Sequence, residues 1–327
     1  MAGKTAARPP TPRSISIAAP AGFDLSRAVQ GHGWFDLPPF RWDPGARRLS
    51  FALRLPGAGP VAASLRAGGA EPRGGQRLLL EVLAGGPLST ADAAAAGRGA
   101  AHVLRLDEDL SPFYRRAEEV PRPDLRWAGP AGAGRLLRCP TVFEDLVKMV
   151  ATTNCSWALT RVIVAALVER LGEPLPGGGS AFPTPAAMAA ARPAFYRDTA
   201  RAGYRAEALR GLASDVALGR LDPESWLDPA RPVEEIREAI LALRGAGPYV
   251  ADNMLKLLGR YEGLGIDAWC RRKFSLMYHR GRRVSDRTIA RFYAPFGAWR
   301  GLALWCDITR DWFEEGTLQE KFTEAAY

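Results

Sequence analysis

Cysteine and histidine are scarce in this 327-residue chain, with four of the first and three of the second. Cys139, Cys155, Cys270 and Cys306 lie far apart and form no CxxC pair, which indicates neither a zinc site nor a disulfide framework. His32, His102 and His279 are equally scattered and suggest no metal centre. No apolar run reaches membrane-spanning length. The N-terminus lacks the apolar core of a signal peptide. A cytoplasmic, reducing location and no membrane partner are therefore expected. No internal repeat is visible.

What is abundant is positive charge. Lys and Arg exceed Asp and Glu by 44 to 35, a net charge of +9. That balance favours a polyanionic partner, although arginine-rich composition also follows from a GC-rich genome. The distribution says more. From Asp267 to Arg300 there are nine basic residues (Arg271, Arg272, Lys273, Arg280, Arg282, Arg283, Arg287, Arg291, Arg300) and only Asp267 and Asp286 oppose them. Such a run is either a solvated face or a track for a nucleic acid.

The stretch from Pro232 to Arg272 organises the chain. Pro232 suits the first position of a helix. Val233, Ile236, Ile240 and Leu243 then recur at spacings of three and four, one apolar helical face. Gly245 stops that helix, and Gly247 gives a second permissive joint. Pro248 opens another helix, with Val250, Met254, Leu257 and Leu258 on its buried face and Gly259 at its end. A hairpin of this kind exposes backbone N–H groups beside a helix N-terminus, a site that suits a phosphate oxygen and ignores base identity. Asp267 follows after a short loop, just before a helix that starts at Ala268. It could be a helix cap only, or a cap and a chemical group at once.

These residues resemble the helix-hairpin-helix DNA glycosylase superfamily. Leu243-Arg244-Gly245-Ala246-Gly247-Pro248-Tyr249-Val250-Ala251-Asp252 is similar to its hairpin, and Ile266-Asp267-Ala268 to the segment carrying its catalytic aspartate. The likeness is specific over about Thr141–Lys273, and within the superfamily it points to 8-oxoguanine DNA glycosylase and 3-methyladenine DNA glycosylase II. It implies that Asp267 stabilises the sugar cation and activates water. It implies that Gly245, Gly247, Tyr249, Arg271 and Arg272 meet DNA. Asn154 matches the asparagine that fills the gap left by the extruded nucleotide. Tyr204 and Arg205 match an aromatic wedge and an arginine that meets the orphaned base. Asn253, Trp157 and Trp269 are candidates for the base pocket, where aromatic faces would suit an electron-poor alkylated purine. Local alternatives stand beside these roles: Asn154 as a helix cap, Tyr204 and the tryptophans as core.

The departures are informative. Tyr249 stands where relatives that also cut the backbone have a lysine nucleophile, and neither Lys256 nor Lys273 occupies that position. Leu159 stands where the 8-oxoguanine family has an arginine, and Asn253 where it has a cysteine. The four closely spaced C-terminal cysteines that hold an iron–sulfur cluster in some relatives are missing, so no cofactor or metal is expected. The implied protein is a monofunctional glycosylase acting on a damaged purine, alkylated or oxidised. Its partner would be double-stranded DNA containing a damaged base, and it would be a monomer near the nucleoid. Two rivals stand: a non-catalytic hairpin DNA-binding protein, and a bifunctional glycosylase/lyase using an unexpected lysine.

The expected fold class is α+β. Residues 1–22 read as a disordered basic tail, 23–115 as an antiparallel β domain, and 116–327 as the helical glycosylase domain. Strands are expected at Leu49–Leu55, Val61–Arg66 and Arg77–Leu83, with a helix from Ser89 to Arg105. Helices are then expected at Thr141–Thr153, Ser156–Leu171, Thr184–Ala191, Pro193–Arg201, Arg205–Leu218, Val233–Leu243, Tyr249–Leu258, Ala268–Met277, Ser285–Tyr293 and Ala298–Phe313.

Overall fold

The computed structural model describes residues 12–70 and 76–314. Its first third is an antiparallel sheet of β1 (Arg13–Ala19), β2 (Arg41–Asp43), β3 (Arg48–Leu55), β4 (Gly59–Ala70) and β5 (Gln76–Leu83). The spatial order is β1-β5-β4-β3-β2. Period-2 alternation puts Leu49, Phe51, Leu53, Val61, Ala63, Leu65, Leu78, Leu80 and Val82 into the core. The helix α2 (Thr90–Leu104) lies against the sheet through Ala96, Ala100 and Val103, with the Ser89 side chain capping its start.

β1 corrects the expectation of a disordered tail reaching Gly22. Ile15 and Ile17 alternate with serines, and the strand pairs with β5 from Arg13 opposite Val82 to Ala19 opposite Gln76. Its alternation is short and set among Ala, Pro and Arg. The free edge of β5, which the local sequence does not reveal, supplies the pairing. Met1 to Thr11 of the expected tail lie outside the described residues.

The remainder is helical. Between β1 and β2 come α1 (Leu25–Gln30) and a 3₁₀ turn, Gly33–Asp36. After α2 follow α3 (Ser111–Glu119), α4 (Ala128–Ala131), α5 (Val142–Ala151), α6 (Trp157–Leu171), α7 (Pro185–Ala190), α8 (Arg205–Ala217), α9 (Val233–Leu241), α10 (Pro248–Leu257), α11 (Ala268–His279), α12 (Asp286–Tyr293), α13 (Arg300–Ile308) and α14 (Arg310–Glu314). Thr141, Ser156, Thr184, Asp267 and Ser285 each accept a hydrogen bond from the backbone N–H three residues on. Caps of this kind contribute about 1 kcal/mol apiece. Three expectations change in detail. Pro193–Arg201 is only a π turn at Phe195–Thr199. Pro232 caps α9 instead of opening it. The last helix is divided: a 3₁₀ turn (Ala294–Trp299), kinked at Gly297 with its positive φ of 59°, leads into α13, and α13 ends at Thr309 before α14.

One buried core runs from the sheet through the helices. Helix α5 is its axis, buried along its whole length. The segment between β1 and β2 is tied to it. Trp34 Nε1 donates to Asp145 Oδ1 at 2.7 Å, and Cys139 N donates to the same oxygen at 2.9 Å. Lys148 pairs with Glu144 at 2.7 Å and lies 4.8 Å over the Phe40 ring. A second tie is the buried Arg105, which pairs with Glu108 and donates to Leu257 O at 2.7 Å and to the Tyr261 hydroxyl at 2.9 Å. It joins the end of α2 to the end of α10.

Burial pushes the Asp145 carboxyl up to about 7 even though two N–H groups donate to it. The fold therefore holds a proton that the unfolded chain releases near the ordinary value of 3.8. With more protons bound to the folded state, stability falls as pH rises through that window and is level above it, for this group. Asp145→Asn keeps the acceptor oxygen and removes the titration. Urea midpoints of the wild type should decline from about pH 4 to about pH 7 more steeply than those of the variant; parallel curves would contradict the assignment.

Candidate active site

The hairpin forms as its glycines dictate, but the two glycines do different things. Gly245 has φ +80°, and a Cβ there would lie 2.9 Å from the Ala208 side chain on α8. It is required by the backbone and by packing. Gly247 is extended, at φ −118° and ψ −171°, and caps α10 with no atom within 4 Å of where a Cβ would be. The expectation of a second permissive joint is therefore corrected. The missing side chain at Gly247 leaves open space above the first turn of α10. Pro248 takes N1 of that helix, and the next N–H groups have no acceptor within the helix.

Three polar side chains on α10 hold the loop that leads to Asp267. Asp252 accepts from Gly265 N at 3.1 Å and pairs with Arg237 on α9. Asn253 Nδ2 donates to Gly265 O at 3.4 Å and to Tyr249 O at 2.9 Å. Lys256 Nζ donates to Leu264 O at 2.8 Å and to Asn253 Oδ1 at 3.1 Å. Two glycines let the loop come this close. A Cβ on Gly263 would meet Asp252 at 2.8 Å, and one on Gly265, at φ +61°, would meet Asn253 at 2.5 Å. Asn253 thus departs from its expected place against a base, since its amide is committed to backbone and to Lys256.

Asp267 is half-buried and caps α11, its Oδ1 accepting from Cys270 N at 2.7 Å. Burial raises its carboxyl above the usual range, and the Cys270 N–H, Lys256 and Arg271 partly offset that. Tyr249 is half-buried beside it. Burial first, then the Asp267 charge, pushes the Tyr249 hydroxyl above its ordinary value, so it stays protonated. A carboxylate in a drier setting, flanked by a neutral phenol, can stabilise a cation or orient a water.

The other expected residues divide. Asn154 is exposed, with a left-handed φ of 44°, and Ser156 caps α6, so Asn154 has no capping role. Tyr204 is 60% exposed, not core. Arg205 is the correction. It is 4% exposed, donates from Nε to Thr153 O at 2.7 Å, and stacks 4.5 Å over the Tyr204 ring. The Tyr204 hydroxyl donates to the same carbonyl at 3.1 Å. Arg205 therefore braces the Asn154 loop against the Tyr204 turn and does not face outward, because its guanidinium satisfies a carbonyl that the turn after α5 leaves open. Arg271 is exposed but held by Asp286 in two hydrogen bonds of 2.6 and 2.8 Å. Arg272 is exposed. Arg280, Arg282, Arg283, Arg287 and Arg291 are exposed, and none forms an ion pair with another described residue.

Trp157 and Trp269 are brought into one row by residues that the sequence did not single out. Trp157 stacks on Trp34 at 6.5 Å and donates to Asp36 Oδ2 at 2.7 Å. Trp34 meets His32 edge-on at 4.5 Å. His32 meets Trp305 at 5.4 Å, and Trp305 meets Trp269 at 6.4 Å. The row runs from beside the Asn154 loop to beside Asp267. Trp305 Nε1 donates to Gly31 O at 2.8 Å, across almost the whole chain. No periodicity could announce such contacts; the only signal was the unusual Gly31-His32-Gly33-Trp34-Phe35 string.

No family model matches the chain. It is 26% identical over 219 residues to a probable N-glycosylase/DNA lyase of Methanothermobacter thermautotrophicus, over 58% of this chain and 66% of that protein. The match therefore spans just under two-thirds of the relative's length. Among solved structures, a 3-methyladenine DNA glycosylase from Archaeoglobus fulgidus superposes with a TM-score of 0.69 at 20% identity, covering 92% of this chain and 99% of that one. An 8-oxoguanine glycosylase/lyase from Clostridium acetobutylicum gives 0.68 at 16% identity, with 92% and 98% covered. The fold is that of these two solved glycosylases, a small antiparallel sheet followed by helices. No described helix is long and apolar enough to cross a membrane.

The loop geometry makes a paired prediction. Gly265→Ala combines a positive φ with a clash against Asn253 and should cost about 2 kcal/mol of stability or more. Gly247→Ala, extended and in open space, should change stability by less than about 0.5 kcal/mol. Urea unfolding of both variants checks this, and equal losses would contradict the reading of the loop.

Proposed function

We propose that this chain is a monofunctional DNA glycosylase that flips out a damaged purine, alkylated or oxidised, and hydrolyses its N-glycosidic bond. The observation that carries the reading is the pairing of an open hairpin at Gly245–Gly247 with a half-buried Asp267 on a loop clamped to the same helix. The hairpin offers N–H groups to a backbone phosphate without regard to sequence. Asp267 then stands one loop away, where the sugar of an extruded nucleotide would lie. Departure of the base builds positive charge on that sugar, which the carboxylate stabilises while it orients or deprotonates a water. Asn154 and Tyr204, both exposed and braced together through Thr153 O, suit a plug and a wedge for the gap, which offsets part of the few kcal/mol that flipping costs. Exposed arginines after α11 add positive charge that suits a polyanion. Double-stranded DNA is the partner and no second subunit is invoked.

Hydrolysis alone is favoured because Tyr249, not a lysine, occupies the second position after Gly247, and because the Lys256 amine is buried and already bonded to Leu264 O and Asn253. One observation favours a second reading. The curated relative is named as an N-glycosylase/DNA lyase, and a lyase here would need Lys256 to leave those bonds and form a Schiff base.

The deciding experiment presents purified protein with duplexes carrying 8-oxoguanine, hypoxanthine or 7-methylguanine opposite each base. Strand breakage only after alkali is expected, with no borohydride-trapped adduct; breakage without alkali, or a trapped adduct, establishes the lyase reading instead. Asp267→Asn should bind the duplex as the wild type does and lose about 100-fold or more in excision rate. Because burial raises the Asp267 carboxyl, excision should fall with decreasing pH above the ordinary aspartate range. Wild-type turnover by Asp267→Asn would remove the catalytic assignment.

A further inference from the structure

One carbonyl oxygen holds two distant turns together. Thr153 O, in the turn after α5, accepts from Arg205 Nε at 2.7 Å, from Arg205 Nη2, and from the Tyr204 hydroxyl at 3.1 Å. Arg205 Nη1 donates to Ala202 O at 3.3 Å, within the turn before α8. Arg205 is buried, yet among the described residues no carboxylate pairs with it. Glu207, two residues on, pairs instead with Arg244 of the hairpin. A buried cation with only carbonyl partners costs more than an apolar side chain of similar volume. Closing two turns does not by itself call for an arginine.

Two exposed tips flank this brace. Asn154, next after Thr153, has the left-handed φ of 44° that asparagine tolerates better than most residues. Tyr204 is 60% exposed, in a turn where Arg201 and Gly203 also have positive φ. Packing accounts for neither tip. The hairpin meets the same corner, since a Cβ on Gly245 would lie 2.9 Å from Ala208 on α8 and 4.0 Å from Val150 on α5. Resting on the glycosylase reading, we infer that Arg205 is a positioning residue of the flipping step. It locks the Asn154 and Tyr204 tips at one separation, so that they enter the base stack as a unit, and it does not read the base opposite the lesion.

The two roles make different demands. Reading a base needs donors free at the surface. Arg205 instead keeps Nε, Nη1 and Nη2 on backbone carbonyls, with its guanidinium stacked 4.5 Å over the Tyr204 ring. Filling a gap needs rigidity. Tips ordered in advance lose little entropy on insertion, so more of the few kcal/mol that extruding a nucleotide costs is offset. The brace therefore matters most where flipping is uphill. A nucleotide that lacks a pairing partner is extruded more readily without help, and the brace has less left to contribute.

The test uses the full chain, with Arg205→Met, Arg205→Lys and Tyr204→Phe, after each variant's unfolding midpoint has been recorded. Single-turnover excision is measured on duplexes carrying 8-oxoguanine, hypoxanthine or 7-methylguanine, opposite each base and opposite an abasic spacer. Fluorescence of 2-aminopurine at the lesion position, opposite thymine or the spacer, reports extrusion without any chemistry. Arg205→Met should lose about tenfold in excision opposite every base. Arg205→Lys, which keeps a charged donor, should lose less. Tyr204→Phe, which gives up one neutral hydrogen bond and leaves Arg205 in place, should lose about threefold. All losses should shrink opposite the spacer, and the 2-aminopurine signal should show the same split. A residue needed only for stability would lower both kinds of duplex alike, and that outcome overturns the inference. A loss confined to one opposite base would make Arg205 a reader and also overturns it, as does wild-type behaviour in Arg205→Met. If Arg205→Met does not fold, Tyr204→Phe carries the same comparison. Excision of no base by the wild type overturns the glycosylase reading itself. The fluorescence arm then judges the brace alone: an extrusion signal that the variants weaken opposite thymine upholds it, and a signal absent or unchanged overturns it.

Discussion

The site depends on the clamp between α10 and the loop from Gly263 to Gly265. Asp252, Asn253 and Lys256 point from one side of the helix and between them hold two backbone carbonyls and one N–H of that loop. The helix that begins at the hairpin therefore also sets where Asp267 stands. The hairpin backbone and the Asp267 carboxylate are thus tied to one helix by these bonds. Rigid placement of this kind is what electrostatic stabilisation of a transition state requires, since donors and charges must be in position before the reaction needs them.

The clamp is made of polar groups in a buried setting, which is a demanding arrangement. Each must be satisfied or it destabilises the fold. Asp252 and Asn253 are satisfied, by Arg237 and by backbone. Lys256 is satisfied only in part. Asp267 is held above its ordinary protonation range by burial yet kept within reach of ionisation by a neighbouring ammonium and a capping N–H. The buried polar groups of α5 are partnered in the fold, Lys148 by Glu144 and Asp145 by the Trp34 and Cys139 N–H groups. This concentration of partly satisfied polar groups coincides with the candidate site outlined by the hairpin and Asp267.

Much of this was legible in the residues. The hairpin was, because spacings of three and four and a Gly-x-Gly break are local patterns. Asp267 as cap was, because cap chemistry involves only the next turn. The three central strands and α2 followed from alternation and from Ser89. What escaped notice did so for definite reasons. β1 needed the edge of β5. The burial of Arg205 needed the carbonyl of Thr153, on a turn 52 positions away. Gly247 looked like a second permissive joint and is extended, since two glycines in one turn need not share one task.

The sequence alone determined most of the elements, the hairpin and the position of the carboxylate along the chain, since each rests on forces acting over a few neighbouring residues. Tertiary structure decided which side chains surround that carboxylate. Gly31 and Trp305 are joined by one hydrogen bond across 274 positions, and His32, Trp34, Lys256 and Trp269 become neighbours only through that closure. Packing between distant segments carries no period and no spacing that a linear reading can detect, so the surroundings of that carboxylate exist only once the chain has folded.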